Sequence, residues 1–422
     1  MVVLFFVIIF SSMGFGLVLP PFVFVANNLG ASEMLAGFIV SSFAMGQFLA
    51  TPLWGKLSDR YGRKPILILS MIGSTVAYLS MAWADYAGSL WMLLGARFLT
   101  GLMAGNFAAA TAYVADITPP EKRAQGMGMV GGAVSIGFMS GPAIGGLLSG
   151  NTAETASLFM PSIAAAAMSA LTLFAILLFL KESRTAEQRA EAVAASERET
   201  GDKNSGSFAQ ILRRPILAQM VLMGFLVFFA MTNFETTFPF WAQSGFAWGP
   251  RQVGFCFMYL GFIVMLTQMF IAGRLVPIFG EGKLLLAATC SYSFGLLWMA
   301  TMPFALDPAI ADVRAFAFDP IGLTMAEVVM LFGITFTAAG GAMFNTASTS
   351  WVSKQAGDHE RGAVLGLFQS AGWLGRSVGP TVSGFLFMTY GPNTPLFAGA
   401  LLMVPVFFIV AYIRRRHAAD SA

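Results

Sequence analysis

The chain is poor in the residues from which most catalytic and metal sites are built. It has two cysteines and two histidines in 422 residues. Cys256 and Cys290 each lie inside an apolar run, which excludes a disulfide framework and a CxxC metal pair. His359 and His417 stand in polar segments, with no metal-ligand spacing and no nucleophile motif beside them. Charge is scarce too: 11% of residues are charged and 57% hydrophobic, and the mean hydropathy is +0.73. Soluble domains are about a quarter charged, so a water-soluble domain is excluded. The opening MVVLFFVIIFSSMGFGLVLPPFVF has no basic n-region, and its apolar run is too long for a signal-peptide core. It reads as a first membrane span. The short alternating segments of a membrane barrel are missing as well. A polytopic all-α membrane protein is what remains.

Twelve apolar spans are predicted, at roughly 2–25, 33–54, 65–84, 90–115, 124–148, 157–180, 215–242, 251–273, 283–304, 324–352, 361–389 and 394–413. Between the sixth and seventh, residues 181–214 are polar and without apolar periodicity, and read as a solvated linker. The expected organisation is therefore a six-helix bundle over 1–180, the linker, and a second six-helix bundle over 215–422. Basic residues orient it. With both termini cytoplasmic, only Arg251 and Arg314 fall in outer loops, and Arg97 and Arg376 lie within spans. The other twenty of the 24 Lys and Arg then face the cytoplasm.

The halves repeat. TAYVADITPPEKRAQGMG (111–128) aligns without gaps on TSWVSKQAGDHERGAVLG (349–366). In each copy an arginine, Arg123 or Arg361, is followed eighteen residues on by Gly-Pro, at Gly141-Pro142 and Gly379-Pro380. Upstream, GKLSDRYGRK (55–64) aligns with GRLVPIFGEG (273–282), with Pro277 where Asp59 stands. Two such repeats around a central loop are an expected transporter architecture, with the site at the repeat interface.

Four stretches carry a family resemblance: GKLSDRYGRK, RFLTGLMAG (97–105, with Thr100 in a place where glutamine is usual), GGAVSIGFMSGPAIGG (131–146) and GFGLVLPPF (14–22). The sequence resembles the major facilitator superfamily, and within it the twelve-helix drug:proton antiporters that include the tetracycline efflux proteins. The second half matches through its degenerate repeats and FAWGPRQVGF. The resemblance implies a central cavity between two bundles, a bacterial-type inner-membrane location, and a gate on the cytoplasmic side. It also departs. Tetracycline exporters carry acids within helices one, three and nine, where this chain reads FSSMG, GSTVAYLS and SYSFGLLW. Little tetracycline export is therefore expected. Gln268, before MFIAGR, does match.

The gate residues expected are Gly55, Asp59, Arg60, Gly62, Arg63 and Asp116, together with Gly141, Pro142, Gly145 and Gly146. Topology alone would explain the basic residues of GKLSDRYGRK, but not Asp59 or the two glycines. Gly55 and Gly62 permit a tight turn and close helix approach. Asp59 can accept from a neighbouring helix N-terminus, and Arg60 or Arg63 can pair with Asp116. Pro277 makes this latch one-sided. The stretch GPAIGG reads as a hinge or seam between the halves, or as ordinary small-residue packing.

A charge inside a span costs roughly 2.5–3.5 kcal/mol, so it has a partner or a task. Glu235, Arg97 and Arg376 are the deep ones and the expected proton-coupling set, Glu235 being the carrier. A permanent structural Glu–Arg pair is the plain alternative. Glu33 and Glu327 sit at span ends. Gln47, Asn106, Asn233, Gln268, Asn345 and Gln369, with Phe234, Phe238 and Phe344, are the candidate substrate-cavity residues; buried amides in membranes often only bond across helices.

The expected function is proton-coupled export of small amphipathic or hydrophobic compounds by alternating access. The expected partners are a small-molecule substrate, protons and the lipid bilayer, with no nucleic acid, no cofactor and no metal, in a monomer. An importer or metabolite symporter on the same fold is the alternative. A non-transporting receptor would more readily lose the GKLSDRYGRK motif, and an intramembrane enzyme lacks the residues for chemistry.

Overall fold

The computed structural model describes residues 2–105, 107–119, 123–183, 185, 187–189, 212–302, 317–318, 323–355 and 361–420. Asn106 and most of the 181–214 linker lie outside them. In the first half the helices are α1 (Val2–Asn28), α2 (Glu33–Tyr61), α3 (Arg63–Tyr86), α4 (Leu90–Ala104), α5 (Phe107–Ile117), α6 (Arg123–Leu148) and α7 (Phe159–Phe179). In the second they are α8 (Pro215–Phe246), α9 (Pro250–Thr267), a π-helical turn (Gln268–Ala272), α10 (Gly273–Phe279), α11 (Glu281–Ala300), α12 (Met325–Gln355), α13 (Arg361–Tyr390) and α14 (Thr394–Asp420). Two-residue strands, Ala317–Phe318 and Leu323–Thr324, pair antiparallel before α12.

Among the described residues, eleven segments are long and apolar enough to cross a membrane, Leu90–Ile117 counting as one. The remaining expected span, α13, is a helix of 30 residues. The apolar runs form helices because lipid leaves every backbone polar group to be satisfied within the segment. Large apolar side chains point outward: on α7, Leu171, Phe174, Leu178 and Phe179 are exposed. A surface of this kind is stable only against lipid.

Two differences from the sequence reading bear on the site. The motif GKLSDRYGRK, left between the second and third expected spans, is helical on both sides of Gly62. α2 runs on to Tyr61 and α3 starts at Arg63, so Gly62 alone makes the corner, at φ 104°. A side chain is strained in that region. In the fourth span, α4 ends at Ala104 and Gly105 is in a turn. A Cβ at Gly105 would meet the Trp54 ring and the Thr51 backbone.

The structure divides into two compact units. The first holds residues 1–31, 38–207 and 249–258; the second holds 32–37, 208–248 and 259–422. Their internal packing is the same. In the first, α1 packs on α6 and α7, and α3 on α4 and α7. In the second, the equivalent helices pair: α8 on α13 and α14, and α11 on α12 and α14. The repeat in the sequence is thus a repeat of packing partners.

Candidate functional site

The α2–α3 corner is a charge cluster centred on Arg63, which is buried. Its Nη2 lies 2.9 Å from Asp59 Oδ1 and its Nε 3.1 Å from Asp116 Oδ2 on α5, while Nη1 donates to Ser58 Oγ at 2.8 Å. Arg63, and not Arg60, makes the pair with Asp116; Arg60 is exposed beside Tyr61. The α3 N-terminus receives its acid from another place than expected. Glu182 accepts from the Arg63 N–H at 2.9 Å and from the Lys64 N–H at 3.1 Å. A carboxylate there complements the helix dipole and the free N–H groups. It stands where a side chain at Gly62 would be. Ser183 Oγ donates to Asp116, and Tyr113 Oη to the Lys181 carbonyl at 2.6 Å. The start of the linker is therefore fastened to the corner rather than solvated. Gly55 makes no close approach: a Cβ there would meet no described atom.

The second half repeats this corner with the charges exchanged. Gly280, at φ 75°, separates α10 from α11 as Gly62 separates α2 from α3. Glu281 occupies the position of Arg63 in the repeat, and Lys354 that of Asp116. Their side chains pair at 2.5 Å, and Ser350 donates to the same carboxylate at 3.0 Å. Pro277 does stand in Asp59's place, yet the latch is not one-sided. What changes between the halves is the sign of each partner. An exchanged pair keeps the same attraction, which is why the position is filled though no residue type is shared.

The GPAIGG stretch makes two seams. Gly141 and Gly145 face α1 inside the first bundle, where a Cβ would collide with the backbone of Gly16 and Leu17. The Pro142 carbonyl and Gly146 face the first turns of α9, where a Cβ at Gly254 would strike that carbonyl and one at Gly146 the Pro250 carbonyl, while the Pro142 ring lies against Gly16 of α1. Gly141 and Gly145 thus fit ordinary small-residue packing, and Gly146 fits a seam with a helix of the second sequence half. In the second unit the repeat-equivalent Pro380 and Gly384 meet Gly37 and Glu33 of α2 in the same way. Close backbone contact of this kind needs a missing side chain on one partner.

Of the three deep charges, two are paired. Glu235 Oε2 lies 3.7 Å from Arg376 Nη1, with the side chains 32% and 24% exposed. The Arg376 guanidinium also lies 5.1 Å from the Phe228 ring and 5.6 Å from Trp373. α8 continues to Phe246, so Glu235 is eleven residues, about 16 Å, from that end. That is deeper than the sequence boundary placed it. Arg97 is 1% exposed. Phe15, Phe22 and Phe43 surround it at 5.3, 4.8 and 4.7 Å. Cation–π contacts contribute about 0.5–2 kcal/mol each, but aromatic rings supply no lone pairs. Among the described residues no acceptor reaches its Nε or Nη1, and a buried orphan donor costs about 1–3 kcal/mol.

A family model, Major Facilitator Superfamily, matches residues 4–327 and 315–422. The chain belongs to the Major Facilitator Superfamily. It is 26% identical over 405 residues to the class B tetracycline resistance protein of Escherichia coli, covering 94% of this chain and 90% of that one. The solved structure of the human organic anion transporter MFSD10 shares its fold at TM-score 0.65 and 23% identity, over 97% of this chain and 98% of that one. The nucleoside transporter NupG does so at TM-score 0.72 and 13% identity, over 97% and 99%. Membership makes this chain a membrane transporter rather than an enzyme.

Of the amides and rings expected to line this superfamily member's cavity, Asn233, Phe234 and Phe238 are buried inside the second unit. Asn233 is buried, donating to the Pro395 carbonyl at 3.2 Å and accepting from Thr237 Oγ1 at 3.3 Å. It fastens α8 to α14. Phe234 and Phe238 are buried, with Phe238 stacked on Trp241 at 6.1 Å. These three are packing residues, because α8 buries this face against α13 and α14. Phe344 lines a crevice with Met231, Thr289 and Tyr292 that is too narrow to admit water. Gln47 is buried, Gln268 and Asn345 are half-buried, and Gln369 is exposed. Gln268 opens the π turn; π turns are frequent at functional sites. Asn106 lies outside the described residues. The sequence reading missed Glu182, Glu281 and Lys354. The last two were accessible from the repeat alignment, had charge reversal counted as a match. Glu182 had no signal beyond its place after the sixth span.

Proposed function

We propose that this transporter exports small amphipathic or hydrophobic compounds from the cytoplasm, coupled to protons through Glu235. The observation that carries the reading is the Glu235–Arg376 pair. At 3.7 Å it is longer than the roughly 2.7–2.9 Å of a tight charge-assisted hydrogen bond. Both side chains are partly exposed, so Glu235 can exchange a proton. Arg376 also lies against the Phe228 and Trp373 rings, so Glu235 is not its one contact. A sealed structural pair would be shorter and closed off. The name of the Escherichia coli relative supports drug efflux; NupG, named for nucleosides, is a reminder that the fold serves other substrates. In this reading the corners at Arg63–Asp116 and Glu281–Lys354 are the cytoplasmic gate, and Pro142 and Gly146 belong to the moving seam.

The test is counterflow in proteoliposomes against a compound panel, with and without a pH gradient. Export of amphipathic compounds that rises with the gradient is the expected result, with little transport of tetracycline, since the three intramembrane acids of its exporters are missing. Gradient-driven uptake of a polar metabolite would replace export with the importer reading.

The orientation is part of the proposal: an inner-membrane protein with both termini and the linker in the cytoplasm. With Cys256 and Cys290 replaced, Ala195→Cys is expected to react with an impermeant maleimide only after the cells are permeabilised. Labelling in intact cells would invert the topology.

A further inference from the structure

Arg97 differs from the other inward-facing arginines. Arg63 has two carboxylates and Arg376 has one. Arg97 has three phenyl rings, with the Tyr78 phenol nearby, and, among the described residues, no acceptor at Nε or Nη1. The cage is built by the backbone. A Cβ at Gly101 would collide with the Phe43 carbonyl, and one at Gly46 with that of Phe98. These glycines let α2 and α4 touch, which brings the Phe43 ring over Arg97, one helical turn before Gly101. Phe15 and Phe22 come from one face of α1, seven residues apart. Phe22 is buried, while Phe15 and Phe43 are half-buried and pack on each other at 4.8 Å, so a ligand would enter on their side by parting the two rings.

We propose that this cage binds the carboxylate of an amphipathic organic anion. A guanidinium is always charged and carries five N–H donors, so a carboxylate supplies both the counter-charge and the lone pairs that the rings lack. The apolar body of the molecule then lies against Phe15 and Phe43. A cation at the same place would face a buried like charge, and a neutral analogue would leave the charge unpaired. The expected order is anion, then neutral, then cation. The proposal rests on the export reading for its role in transport and names a substrate class for it; the binding itself does not depend on direction or coupling.

Three probes with one ring system test it on the purified full chain: 2-naphthoate, 2-naphthol and 2-naphthylmethylammonium, titrated by tryptophan fluorescence. Wild-type protein is expected to bind the naphthoate at least about tenfold more tightly than the naphthol, as a charge-assisted contact implies, and the ammonium most weakly. Arg97→Gln is expected to bring the naphthoate to the level of the naphthol, and Arg97→Lys, which keeps the charge, to retain part of the preference. Equal binding of the three by wild-type protein overturns the proposal without recourse to any variant, as does an undiminished preference in Arg97→Gln. Loss of gradient-driven export with this preference intact would count against the export reading alone.

Discussion

Glu235→Gln abolishes accumulation driven by a pH gradient and leaves downhill exchange in place: this is the largest functional effect expected of a single substitution here. Glutamine keeps the size and the hydrogen-bonding capacity of the side chain but cannot take up and release a proton. The pair with Arg376 is loose and partly exposed, so its loss is expected to cost less than the roughly 3–5 kcal/mol of a closed buried pair. Arg376 stays in place on Phe228 and Trp373. Coupling and folding are thus separable at this position. Reconstituted protein, assayed for uphill accumulation and for exchange at equal pH, gives both readouts. Uphill transport at the wild-type rate would remove Glu235 from the coupling role. The search would then pass to Asp116 and Glu327.

Arg63→Glu is expected to be the most destabilising charge reversal in the protein. It would place a carboxylate among Asp59, Asp116 and Glu182, all of which touch Arg63. Breaking a buried pair costs about 3–5 kcal/mol, and the like charges add to that. The second half shows the way to repair it. There an acid at the Arg63 position pairs with a lysine at the Asp116 position, and a proline replaces the Asp59 equivalent. Arg63→Glu combined with Asp116→Lys and Asp59→Asn is therefore expected to recover most of the lost stability. Asp59→Asn alone should cost less than about 1 kcal/mol, being one half of an i,i+4 pair with a side chain 43% exposed, while slowing turnover. Thermal melts of the full chain in detergent, with transport rates per folded molecule, decide it. A triple variant no more stable than Arg63→Glu would show that the two corners are not equivalent.

Much of this protein is determined by its sequence alone. Apolar runs of membrane length with few charges leave the chain no soluble alternative, and lipid leaves it no alternative to helices. The gapless repeat and the four motifs point to the superfamily that the family model matches. The deep charges Arg97, Glu235 and Arg376 stand out because a charge in hydrocarbon is costly wherever the helix turns it.

Which charge meets which was decided only by the tertiary structure. Arg376, and not Arg97, stands beside Glu235, because α8 and α13 pack together along their lengths. Asn233, Phe234 and Phe238 look like pocket residues in a sequence, but the face of α8 that carries them is the one covered by its neighbours. Glu182 reaches the α3 N-terminus across more than a hundred residues of chain. Glu281 and Lys354 hold the place of a pair whose charges they reverse. Helical periodicity and hydropathy describe each segment against lipid. They carry no information on which face of one helix lies against another, and in a bundle that choice sets every pairing.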